Sequence, residues 1–76
     1  MSNLERLKEI FAELFGDEVN LDEINEESRL FIDIEMTSIA MLSLAMSIEE
    51  EFSMQFRNED FDNIKTVGDV LRCIER

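Results

Sequence analysis

The sequence predicts an all-α fold, a small four-helix bundle of three main helices and one short helix, with a long loop between helices 1 and 2. Apolar residues recur at helical spacing over residues 2 to 16, 38 to 52 and 66 to 76, and no stretch shows the two-residue alternation of a half-buried strand. At 76 residues, 45% hydrophobic and 34% charged, the chain has room for a single domain spanning 1–76 with one modest core.

In "SNLERLKEIFAELFG", Leu4, Leu7, Phe11 and Leu14 form one stripe that Ile10 and Phe15 broaden. Ser2 followed by Glu5 fits a capping box, and Gly16 supplies the stop. Residues 17 to 36 show no sustained period but scatter Val19, Leu21, Ile24, Leu30, Phe31, Ile32 and Ile34 among acids, as in a loop pinned to the core. "SIAMLSLAMSIEEEF" holds neither glycine nor proline, and Leu42, Ala45, Met46, Ile48 and Phe52 stand at core spacing. "RNEDFDNI" suits a short helical turn with Asn58 as N-cap and Phe61 as apolar anchor. "TVGDVLRCIER" opens on the capping pair Thr66 and Asp69 and points Val67, Val70, Leu71 and Ile74 inward, slightly weakened by Gly68.

A formal net charge of −12 opposes binding to nucleic acid or an anionic membrane and favours basic protein partners. No apolar run approaches the roughly 20 residues of a membrane span, so no membrane insertion is expected. The lone Cys73 rules out an internal disulfide, and a monomer in the cytoplasm is the expectation.

With no histidine and one cysteine, the usual zinc sites and histidine triads cannot be assembled, so neither independent hydrolytic catalysis nor a dedicated metal site is expected. Asn58, Asp60 and Asp62 imitate the first ligands of a calcium loop. Asn63 then stands where glycine is needed, and Asp69 where a bidentate glutamate is needed. Cys73 reads as a partly buried core residue.

Thr37 and Ser38 precede the longest apolar run. One hydroxyl suffices to cap a helix. If Thr37 caps, Ser38 occupies the first turn, where free N–H groups and the helix dipole favour a phosphate ester.

These features resemble the acyl carrier protein family, in which an Asp-Leu-Gly-x-Asp-Ser-Leu type motif opens the second helix. Here it reads Asp33-Ile34-Glu35-Met36-Thr37-Ser38-Ile39, and the resemblance continues through "SIEEEFSMQFRNEDFDNIKTVGDVLRCIE". It implies that Ser38 receives covalent 4′-phosphopantetheine from coenzyme A through a phosphopantetheinyl transferase. The arm's thiol would hold acyl groups as thioesters and present them to acyl-transferring or synthase enzymes with basic or apolar docking patches, the chain itself being no enzyme. It further implies partner contacts at Thr37, Ile39, Ala40, Met41, Glu49 and Glu50, and an acyl pocket lined by Leu42, Met46, Ile64 and Val70.

Glu35, Thr37 and Ile39 depart from the family's glycine, aspartate and leucine, and glutamate tolerates fewer backbone angles than glycine. Ala40, Ser43 and Ser47 stand on the presumed outward side of the second helix, where fatty-acid carriers present acids. These departures suggest a specialised carrier in a dedicated lipid or secondary-metabolite pathway. The alternative from another class is an unmodified acidic helical adaptor that binds partners without a prosthetic group.

Overall fold

The computed structural model describes residues 2–76. Helix α1, Asn3–Phe15, starts at a reciprocal cap in which Ser2 Oγ accepts from the Glu5 N–H at 3.1 Å and Glu5 Oε1 accepts from the Ser2 N–H at 3.3 Å. Leu7, Ile10 and Phe11 are buried, while Leu14, expected on the same stripe, is 37% exposed. Gly16 ends the helix with φ +56°, a backbone angle that a side chain would resist.

The long connection is more ordered than its sequence suggests. It contains 3₁₀ turns at Gly16–Glu18 and Leu21–Glu23, and Asn20 and Asn25 accept from the backbone N–H groups of Asp22 and Glu27. Its second half is stitched to the start of the last helix. Leu30 N–H donates to Lys65 O at 2.9 Å, Val67 N–H to Ser28 O at 2.9 Å, and Gly68 N–H to Glu26 O at 2.8 Å. Ile24 and Leu30, which flank this stretch, insert into the core, so the connection is held by side chains as well as by backbone bonds. Phe31 and Ile32, expected to anchor the loop, are exposed instead, at 48% and 64%.

Helix α2, Ser38–Phe52, places Met41, Leu44, Ala45 and Ile48 in the core. It ends at Ser53, which adopts the left-handed conformation. Arg6 of α1 reaches across to this end: its guanidinium lies 4.2 Å from the centre of the Phe52 ring and donates to Glu51 O at 3.0 Å.

Helix α3, Asn58–Asn63, has Arg57 rather than Asn58 at its N-cap. The Asp60 carboxylate folds back to accept from the Arg57 N–H at 2.7 Å, so the N-cap residue's own N–H is bonded, and Asn58, expected as the cap, is the first helical residue. Helix α4, Val67–Glu75, starts with the anticipated pair: Thr66 Oγ1 accepts from the Asp69 N–H, and Asp69 Oδ2 from the Thr66 N–H. Val67, Val70 and Leu71 join Leu7, Phe11, Leu30, Leu44 and Ile48 in one apolar cluster. The described residues contain no strand, only an isolated antiparallel bridge between Arg29 and Thr66.

Candidate functional site

Residues 29 to 37 bring the chain to the start of α2 through a closed loop. Asp33 accepts from the Arg29 N–H at 2.8 Å and pairs with the Arg29 guanidinium at 3.3 Å, while Met36 N–H donates to Leu30 O at 3.1 Å. These bonds from Arg29, the backbone one foremost, hold the Asp33 carboxyl below the usual carboxylate range. Between these ties Glu35 adopts φ +61°, so the loop keeps a left-handed turn although glutamate stands where the family favours glycine. Met36 is buried and fixes the chain one residue before the cap.

Thr37 is the N-cap. Its Oγ1 accepts from the Ala40 N–H at 3.0 Å, and its carbonyl accepts from the Met41 N–H at 2.9 Å. Ser38 follows as the first helical residue, exposed to solvent, and no hydrogen bond among the described residues engages its hydroxyl. The first turn of α2 contains no acid, and the N–H groups of Ser38 and Ile39 have no partner among the described residues. The arrangement presents a hydroxyl and free donors at the positive end of a 15-residue helix, a setting that stabilises an added negative charge.

The other candidates divide. Ile39 is 77% exposed and Ala40 half-buried, both next to Ser38 in sequence. Met41, expected at the surface, belongs to the core at 6% exposure. Glu49 is half-buried, and its Oε2 accepts from the Phe56 N–H at 2.8 Å, which gives it a structural task in the turn after α2; Glu50 is exposed. Leu42 and Met46, expected to line an acyl pocket, stand in solvent at 59% and 66% exposure, because the core is filled from the opposite side of α2. Ile64 and Val70 are buried.

A cleft of about 660 Å³ runs along the connection, lined by Val19, Ile24 and Ile34 among the acids Glu18, Glu23, Glu27 and Asp33, and none of the four pocket candidates borders it. A second cleft of about 220 Å³ is bordered by Ile64, Cys73 and the Asp60–Arg76 pair. Among the described residues no group of three or more metal-ligating side chains is assembled, and no helix is long and apolar enough to cross a membrane.

A family model for the phosphopantetheine attachment site matches residues 5–74. The chain belongs to this phosphopantetheine attachment family. It is similar to the acyl carrier protein of Wolinella succinogenes, with 36% identity over 75 residues that cover 99% of this chain and 96% of that protein. It is also similar to the acyl carrier protein of Clostridium perfringens strain SM101, with 41% identity over 70 residues covering 92% of this chain and 90% of the other. Members of the phosphopantetheine attachment family are carriers rather than catalysts, and their prosthetic group is covalently attached 4′-phosphopantetheine. Family membership brings with it a phosphopantetheinyl transferase and synthase or transferase enzymes as partners. The start of α2 fits such a group: an unengaged hydroxyl, free N–H donors and no competing acid in the first turn.

Proposed function

We propose that this protein is an acyl carrier whose 4′-phosphopantetheine is esterified to Ser38. The observation that supports the reading is the division of labour at α2: Thr37 takes the capping bond, which leaves the exposed Ser38 hydroxyl unengaged. In the loading step, Ser38 Oγ forms a bond to phosphorus as the nucleotide half of coenzyme A leaves, and the hydroxyl proton passes to the transferase. No histidine is available in this chain to act as that base. When bound, the group supplies a terminal thiol that holds acyl cargo as a thioester. The chain's own residues position it: Met36 anchors the approach, Thr37 fixes the helix start, and the helix end favours the phosphodiester charge.

The uncharged run "SIAMLSLAMSI" supports a carrier for a dedicated lipid or secondary-metabolite pathway, with docking centred on Ile39 and Ala40 beside Ser38 and an acidic contribution from Glu50. Ile64 and Val70 are the wall residues we retain for sheltering an acyl chain, in a protein that acts in the cytoplasm as a monomer. The attachment is tested by intact mass after incubation with coenzyme A, magnesium and a broad-specificity phosphopantetheinyl transferase, with Ser38→Ala as control. Specialisation is tested by comparing turnover of the loaded protein by general fatty-acid synthase enzymes with turnover by an acyl-transferring enzyme encoded nearby. Full activity with the former removes it.

A further inference from the structure

Helix α3 is fastened to the fold by a charge. Among its six residues Asp60 alone is buried, while Asn58, Glu59, Asp62 and Asn63 are exposed. Phe61 adds only a partly buried contact with the core. A helix this short has no stability of its own. The strongest tie between α3 and α4 is the pair of 2.7 Å bonds that Arg76 donates to the Asp60 carboxylate.

The flanks of α3 are tied down separately. On one side the Phe56 N–H donates to Glu49 Oε2 at 2.8 Å; on the other the Lys65 N–H donates to Asp69 Oδ2 at 2.9 Å. Residues 57 to 63 therefore span two fixed points. The bond from the Arg57 N–H to Asp60 lies inside this segment and moves with it.

An ion pair makes a reversible fastening. Breaking it returns both charges to water, and the recovered hydration offsets much of the lost attraction, which a buried apolar contact would not allow. The pair borders the cleft of about 220 Å³ between α3 and α4, where Ile64 and the half-buried thiol of Cys73 lie. The same guanidinium reaches that thiol, with Arg76 Nη1 3.9 Å from Cys73 Sγ.

We infer that residues 57–63 form a lid on the cleft between α3 and α4, latched by Asp60 and Arg76. When the latch opens, the segment swings on its two anchored ends and the Cys73 side of the cleft meets solvent. The lid is a property of the apo chain and does not depend on the carrier reading.

Cys73 is the chain's one cysteine, so its alkylation reports the opening. The test measures labelling by neutral iodoacetamide, read as intact mass, in wild type, Asp60→Asn and Arg76→Gln, at a temperature where circular dichroism shows them folded. The two substitutions act oppositely on the thiol itself, because Asp60 pushes the Cys73 pKa up and Arg76 pulls it down. Through electrostatics alone, Asp60→Asn would speed labelling and Arg76→Gln would slow it. Loss of the latch instead speeds both, by about tenfold each. The double variant should be no faster than the faster single one. All rates should stay flat up to ~1 M urea, because a lid exposes little surface compared with global unfolding. Slower labelling of Arg76→Gln, wild-type rates in either variant, or rates that climb with urea as steeply as global unfolding would overturn the lid. So would a wild-type Cys73 that reacts as fast as in the urea-unfolded chain, since the thiol would then have no closed state to leave. Arg76→Gln, at the end of α4, decides the matter alone if Asp60→Asn does not fold.

Discussion

Gly68 donates its backbone N–H to the carbonyl oxygen of Glu26 at 2.8 Å, and a methyl group on Gly68 would lie 2.9 Å from that same oxygen. The glycine lets the long connection lie directly on the first turn of α4. That contact tethers the connection between Ile24 and Leu30, the two residues it inserts into the core.

Gly68→Ala should therefore destabilise the protein by about 1–3 kcal/mol through displacement of the connection, against the roughly 1 kcal/mol by which alanine is the better helix former. Urea unfolding followed by circular dichroism measures this. An unchanged or raised midpoint would show that the connection yields freely.

Glu35 holds φ +61° in the closed loop before α2, where a side chain strains the backbone. Glu35→Gly should raise stability by about 0.5–1 kcal/mol after the entropic cost of glycine. Glu35→Ala, which keeps a Cβ, should give no such gain. Equal melting temperatures for the two variants would contradict a strained turn.

Much of this fold was legible because its signals are local. Ser2 with Glu5 and Thr66 with Asp69 mark helix starts by spacing alone, and both pairs form the expected reciprocal bonds. Thr37 and Ser38 were legible as a cap and a spare hydroxyl: the residues alone left the order conditional, the motif resemblance placed the carrier role on Ser38, and the capping bond falls on Thr37. The rotation of α2 was not legible. A helix with Leu42 and Met46 on one side and Met41, Leu44 and Ile48 on the other offers two apolar faces, and only packing against α1 and the connection selects one. The roles of Glu49 and Asp60 were hidden for a similar reason. Their carboxylates serve backbone N–H groups whose need for a partner arises from the turn the chain makes in space.

Thr37→Ala removes the hydroxyl that accepts from the Ala40 N–H and should cost about 1 kcal/mol of stability. Thr37→Asp keeps an acceptor and adds a negative charge at the positive end of α2, so its melting temperature should equal or exceed that of the wild type. Thermal melts of the two variants check this: an Ala variant as stable as the wild type would show that the cap is dispensable, and an Asp variant as unstable as the Ala variant would show that a carboxylate cannot replace the hydroxyl there.

Asp60 is the buried charged residue of the core region, gripped by two Arg76 hydrogen bonds of 2.7 Å each and by the Arg57 N–H. The Arg76 guanidinium foremost, then the Arg57 N–H, holds its carboxyl well below the usual carboxylate range. A pKa lowered by folding contributes stability above the unfolded value, near 3.9 for aspartate, and that contribution is lost as pH falls toward the folded value. Asp60→Asn should therefore lower Tm by several degrees at neutral pH, and the gap to the wild type should narrow as pH drops below about 4. A gap independent of pH would show that the pair adds nothing through its charge.

The most direct test of the account is the intact mass of the protein after incubation with coenzyme A, magnesium and a broad-specificity phosphopantetheinyl transferase. We predict gain of one phosphopantetheinyl group by the wild type and none by Ser38→Ala, whose helix start should remain capped by Thr37. A folded wild type that gains no mass with several transferases, or a Ser38→Ala variant that still gains it, would contradict the assignment of Ser38 as the carrier residue.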